Sequence, residues 1–125
     1  MHISPQDAPV ILISGANRGI GAAIVRDLLQ HGYRLSLGAR DVAKLEAAFD
    51  APGDRLGYHR FDAFEPETAK QWVDETVAHF GRIDGLINNA GSGEQVLLTD
   101  DNEEALDRLW AVNVKAPLRL TRLCL

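Results

Sequence analysis

The spacing of apolar residues changes period repeatedly along the chain. Val10-Ile11-Leu12-Ile13 is an unbroken apolar run of the kind carried by a strand buried on both faces, whereas Ile20, Ile24 and Leu28 recur at helical spacing. Gly15, Gly19 and Gly21 fall where the period changes, which predicts a loop between a strand and a helix. Gly32 stands where a helix end takes a left-handed residue, and Tyr33 to Gly38 alternates as a second strand. Asp41 can cap the next helix, which carries Val42, Leu45, Ala48 and Phe49 on one side and ends before Pro52-Gly53. A third strand is predicted from Leu56 to Phe61, closed by Asp62. Pro66 fits the first turn of a helix with the stripe Ala69, Trp72, Val73, Val77 and Phe80, and Gly81 lies beyond its end. Ile83 to Asn88 reads as a fourth strand. After a polar loop, Asp100 with Glu103 resembles a capping box, followed by helical signals at Leu106, Leu109, Trp110, Val112 and Val114. Pro117 is expected to kink or interrupt that last stretch.

Strict alternation of strand and helix predicts an α/β fold: a doubly wound parallel sheet of about four strands, in the order three, two, one, four. Ligands of such sheets bind at the C-terminal ends of the strands. The glycine loop, Gly38-Ala39-Arg40, Asp62 and the segment Asn88 to Gly91 all fall at such ends, so separate sequence features converge on one rim. The loop chemistry suits a phosphate. A first glycine permits the tight turn, later ones let backbone approach a pyrophosphate, and the helix N-terminus offers unpaired N–H groups and a favourable dipole.

Composition narrows the partners. The 125 residues are 46% hydrophobic and 25% charged, with a net charge of -5 and scattered basic residues, which argues for one soluble domain and against a nucleic-acid or anionic-membrane surface. No apolar run is long enough to span a bilayer, and Met1 to Asp7 lacks the basic flank and apolar core of a signal peptide, so a cytoplasmic location is expected. Cys124 is the sole cysteine, which precludes an internal disulfide and reads as a helical residue in apolar surroundings. His2, His31, His59 and His79 show no metal-ligand spacing, so no metal is expected.

Ser14-Gly15-Ala16-Asn17-Arg18-Gly19-Ile20-Gly21 followed by Asn88-Asn89-Ala90-Gly91 resembles the short-chain dehydrogenase/reductase family. Three residues separate the first two glycines, the spacing of this family, where the commoner dinucleotide fingerprint has one. The resemblance runs from Val10 onward and includes Asn113-Val114 after Trp110, and Thr121 further along the same helix. It implies a Rossmann-like domain in which Gly15, Gly19, Ile20 and Gly21 line the pyrophosphate and nicotinamide side of a dinucleotide, with Asn17 and Arg18 of the same loop also binding the cofactor. It also implies that Asp62 reaches the adenine ring, that Asn88, Ala90 and Gly91 lie beside the ribose, and that Asn89 ties neighbouring strands together. Small residues suit a planar cofactor that needs backbone at van der Waals distance.

Cofactor choice turns on the end of the second strand. Ala39 occupies the position where family members using NAD(H) usually carry an acid, Arg40 comes next, and Arg18 lies in the glycine loop. Two guanidinium groups at one corner can hold a 2′-phosphate through forked, charge-assisted hydrogen bonds, which favours NADP(H) over NAD(H). Asp41 stands near the distance at which the general fingerprint places a ribose acid, and reads here as the cap of the following helix.

Family members move a hydride between nicotinamide and a carbonyl or alcohol carbon, using a tyrosine, a lysine four residues later, a serine and an asparagine. Asn113 is the candidate for that asparagine. There is no Tyr-x-x-x-Lys: Tyr33 is followed four positions on by Leu37 and Tyr58 by Asp62. Residues 1–125 therefore read as the N-terminal NADP(H)-binding part of a single domain, cut in or after the helix carrying Asn113 and inactive alone. The complete protein is expected to be a homo-oligomeric oxidoreductase acting on a small carbonyl or alcohol substrate. The alternative is a noncatalytic dinucleotide-binding or regulatory protein.

Overall fold

The computed structural model describes residues 4–51, 53–91, 96, 97 and 99–125. A short 3-10 turn leads into β1 (Val10–Ser14), followed by α1 (Gly19–Gln30), β2 (Arg34–Ala39), α2 (Val42–Ala48), β3 (Leu56–Arg60), α3 (Pro66–Phe80) and β4 (Gly85–Ile87). Helix α4 (Glu103–Trp110) then runs through a π-helical turn (Ala111–Lys115) into α5 (Ala116–Cys124). The strands are parallel and ordered β3-β2-β1-β4, as the alternation predicts.

Successive side chains of a strand point to opposite faces, so β1 feeds two cores. Ile13 joins Ala22, Val25, Leu35, Leu37, Leu45 and Phe49 under α1 and α2, while Leu12 joins Phe61, Ala69, Trp72, Val73, Ala116 and Leu120 under α3 and α5. Helices thus cover both faces of the sheet. Trp72 anchors the second core: its ring lies over Gly38, where an added Cβ would come within 2.7 Å of it, and its Nε1 donates to Ser36 Oγ at 2.9 Å. The Thr76 hydroxyl donates to the Trp72 carbonyl at 2.7 Å, which leaves its oxygen to accept from Ser36 at 2.8 Å. Every polar atom of this buried trio therefore has a partner.

Local signals match their elements closely. Gly32 (φ 86) and Gly81 (φ 80) take the left-handed conformation after α1 and α3, the Asp41 carboxylate accepts the Ala43 N–H at 3.0 Å, and Pro66 opens α3. Three local expectations are corrected. Ala48 and Val77 are exposed, and Thr76 takes the inward place on α3 because its hydroxyl is satisfied by the Ser36 network. Asn102, not Asp100, caps α4, its side chain accepting the Ala105 N–H at 3.1 Å, while Asp100 accepts from Leu97 N at 2.8 Å. The interruption expected near Pro117 is present and takes the form of a widened turn: the Ala116 N–H reaches back to Ala111 O in the π-helical segment just before the proline. Strand β4 is shorter than predicted because side chains take its flanking bonds. Asp84 Oδ2 accepts the Val10 N–H at 2.8 Å, and the Asn89 and Ala90 N–H groups turn to Ser14 Oγ.

Asp84 also receives Arg82 Nε at 2.8 Å and Nη2 at 2.6 Å. The Arg82 hydrogen bond first, and then the Val10 N–H, hold its carboxyl below the ordinary value of 3.8. A carboxylate depressed in the folded state stabilises above its unfolded pKa, and that contribution is lost as pH falls through the folded pKa. Asp84→Asn is therefore expected to flatten the acid limb of the stability curve below about pH 4. Urea unfolding at a series of pH values checks this; parallel curves for both proteins would contradict it.

No helix among the described residues is long and apolar enough to cross a membrane.

Candidate functional site

The loop after β1 is stitched to the end of β2. Gly15 N and Ala16 N both donate to Gly38 O, at 3.0 and 3.5 Å. Gly15 takes φ 62 and runs so near the turn after β4 that an added Cβ would lie 3.1 Å from the Ala90 backbone. Gly21 lies flat against the loop: a Cβ there would stand 2.3 Å from Gly15 O and 2.5 Å from Asn89 Nδ2. Gly19 (φ 59) faces open space, with nothing within 4 Å of an added Cβ. Arg18, extended at φ -159, stands at the N-cap of α1 without a side-chain capping bond. The first turn of α1 thus presents N–H groups and the positive end of its dipole to this space.

The turn after β4 is braced from β1. The buried Ser14 Oγ accepts the Asn89 N–H at 3.0 Å and the Ala90 N–H at 2.9 Å. Asn89 Nδ2 donates back to Gly15 O at 3.0 Å, so one serine and one asparagine lock the two turns together.

These turns border a cleft of about 680 Å³ at the C-terminal ends of the strands, within the size range of small-molecule and cofactor sites. Gly15, Asn17, Arg18, Gly19 and Ile20 line it from the glycine loop and first turn of α1; Ala39 and Arg40 line it from the end of β2. Asp62 lines it after β3, and Ala90 and Gly91 after β4. Ile20, read from sequence as an apolar helix position, is 74% exposed towards this space.

Three expected site residues stand outside the lining. Gly21 is buried behind the loop, where its lack of a side chain permits helix-to-loop packing. Asn88, expected beside the ribose, points elsewhere: its Nδ2 donates to Thr121 Oγ1 at 3.3 Å on α5, beside a smaller hollow bordered by Cys124 and Leu125. Asn89, by contrast, faces the glycine loop, its Nδ2 donating to Gly15 O at 3.0 Å. Asn113 lies in the π-helical turn, exposed, with Oδ1 3.3 Å from where a Cβ on Gly91 would stand.

Charge in the cleft is mixed. Arg18, Arg40 and Arg108 contribute guanidinium groups and Asp62 a carboxylate. Asp62 is held in place: Oδ1 accepts the Phe64 N–H at 2.9 Å, Oδ2 lies 3.5 Å from Arg60 Nη2, and its own N–H donates to Thr68 Oγ1 at 3.0 Å. A carboxylate accepts more than two hydrogen bonds, so capacity remains on the cleft side. Sequence reasoning missed Ser14, Phe61, Ala63, Phe64, Arg108 and Val112. For Ser14 a local signal existed, a hydroxyl at the strand end directly before the first glycine; the others reach the cleft through tertiary packing. Among the described residues no group of three His, Cys, Asp or Glu side chains is placed to hold a metal ion.

Comparison with known proteins gives consistent results. The family model described as short chain dehydrogenase matches residues 9–125. An agropine synthesis reductase of Rhizobium rhizogenes is 56% identical over 119 residues, 94% of this chain but 28% of that protein. A short-chain dehydrogenase from Streptomyces avermitilis superposes with a TM-score of 0.87 at 31% identity, covering 94% of this chain and 44% of its own. An alcohol dehydrogenase from the archaeon Thermococcus sibiricus, solved in complex with 5-hydroxy-NADP, gives 0.86 at 33% identity, over 94% of this chain and 52% of its own. The chain thus spans less than a third of the reductase and about half of each solved structure.

Proposed function

The chain belongs to the short-chain dehydrogenase family, and on that premise we propose that it is the NADP(H)-binding part of an oxidoreductase acting on a small carbonyl or alcohol compound. The observation that carries the reading is the cleft itself. An N-terminus of α1 without a side-chain cap, Gly19 with open space where a Cβ would stand, and Arg18 with Arg40 border one space. These groups fit a pyrophosphate followed by a 2′-phosphate: backbone N–H groups take the first, and two guanidiniums the second. Ala39, in place of an acid, puts no negative charge at that corner. A Streptomyces or archaeal relative's fold speaks to the sheet; the NADP analogue seen in one of them is in keeping with this choice.

NADP(H), when bound, would supply the hydride to a carbonyl or accept it from an alcohol. The residues of this chain orient the cofactor. Gly15, Ala90 and Gly91 allow close backbone approach, Ile20 offers an apolar face, and Asp62 accepts hydrogen bonds at the far end of the cleft. Asn113, whose Oδ1 stands beside Gly91 at the border of the cleft, is assigned as a positioning group on the strength of the family resemblance. Residues 1–125 contain no Tyr-x-x-x-Lys, so turnover belongs to the whole protein, which this reading takes to be a cytoplasmic homo-oligomer. The relative at 56% identity is named a reductase, which supports hydride delivery from NADPH to a carbonyl.

The test is a fluorescence titration with NADPH and with NADH. Tighter binding of NADPH is expected, and Arg40→Asp should weaken NADPH at least about tenfold relative to NADH, a change of roughly 1.4 kcal/mol. An unchanged ratio would remove the 2′-phosphate assignment, and no binding of either dinucleotide would remove the reading as a whole.

A further inference from the structure

We infer that Phe64 and Arg108 form a clamp for the adenine ring, holding it between an aromatic face and a planar cation. The inference rests on the dinucleotide reading above and adds residues to it. One ribose carries both the 2′-phosphate and the base. With the phosphate at Arg40 after β2, the base lies within a nucleoside's reach of that residue. On one side of β2 stands β1, whose end is taken by the pyrophosphate loop; on the other stands β3, whose end leads into Asp62-Ala63-Phe64. The base therefore falls over the end of β3.

Phe64 borders the cleft there, and Arg108 borders the same cleft from a different element. Phe61 is covered by the core at 4% exposure, whereas Phe64 lines the cleft at 49%. Its backbone is not loose, because the Phe64 N–H is held by Asp62 Oδ1 at 2.9 Å, which ties the ring's position to the carboxylate. Arg108 comes from α4, one helical turn before Val112, and both border the same cleft. Adenine is flat and electron-rich. An aromatic ring offers it an offset-stacked face and a guanidinium plane offers it a cation–π partner, neither depending on the phosphate.

Dissociation constants for NADPH and NADH, measured by fluorescence on the whole chain and its variants, decide this. Phe64→Ala and Arg108→Ala should each weaken both cofactors about five- to tenfold, leaving their ratio unchanged. Phe64→Tyr should restore binding to within about twofold and Phe64→Leu should keep at least half of the loss, which separates stacking from simple apolar cover. Thermal midpoints of all variants accompany the titrations, and Phe64→Leu with Phe64→Tyr carry the test if Phe64→Ala does not fold. A loss confined to NADPH in Arg108→Ala would make that residue a phosphate reader and overturn the clamp. So would wild-type binding in Phe64→Ala or Phe64→Leu. If the unmodified chain binds neither cofactor, the dinucleotide reading fails; if it binds both and the variants match it, the clamp alone fails.

Discussion

Gly21→Ala is expected to cost about 3 kcal/mol of stability and to weaken NADPH binding by about two orders of magnitude. The added Cβ would stand 2.3 Å from the Gly15 carbonyl oxygen, a backbone atom that cannot rotate away, and 2.5 Å from Asn89 Nδ2. Relief requires α1 to move off the loop or the Gly15 carbonyl to turn, and the latter breaks the 3.0 Å bond from Asn89. Either movement displaces the N–H groups at the start of α1 from the phosphate position. Gly19→Ala makes an informative contrast: nothing lies within 4 Å of its Cβ, so only the positive φ of 59 is strained, at about 1–2 kcal/mol. A melt and an NADPH titration on both variants check the ordering. Equal thermal midpoints for Gly21→Ala and the unmodified chain would show that the close packing at Gly21 is absent.

Trp72→Ala is expected to remove about 3–5 kcal/mol, a large share of the 5–15 kcal/mol typical of a domain. Trp72 is fully buried, its ring against Gly38 and 5.3 Å from that of Phe61, and the cavity left by its removal is flanked by β2 and α3. The effect reaches the site through one carbonyl, because Gly38 O holds both Gly15 N and Ala16 N of the glycine loop. Trp72→Phe separates packing from hydrogen bonding: it keeps most of the volume but removes the donor to Ser36 Oγ, at a cost of about 1–3 kcal/mol. Urea unfolding with an unchanged m-value provides the measurement, and a loss below about 1 kcal/mol for Trp72→Ala would contradict the burial.

Much of the frame was legible because its signals are local. The shift of period at Gly15 to Gly21, the left-handed glycines at 32 and 81, the Asp41 cap and the first-turn Pro66 each depend on residues within a few positions. Where the inside of a helix depended on a partner, sequence misled. Thr76 is buried and Val77 exposed because Ser36, forty residues earlier, completes the threonine's hydrogen bonds. The predicted box at Asp100 and Glu103 lost to Asn102 because Asp100 is engaged by Leu97 N.

The site divides in the same way. The glycine loop with Arg18 and the Asn89-Ala90-Gly91 turn stand in the sequence as compact motifs, since backbone conformation and charge there are properties of the residues themselves. Which of them face one another depended on the order of the strands. Ser14 bracing the far turn, Asn88 leaving the cleft for Thr121, and Phe64 and Arg108 entering it from separate elements follow from parallel pairing of β1 with both β2 and β4. The sequence by itself determined the strand-and-helix alternation, the family and the glycine loop between β1 and α1, because those rest on short-range sterics and hydrogen bonding. Only the tertiary structure decided which side chains share the cleft, because that depends on contacts between residues far apart in the chain.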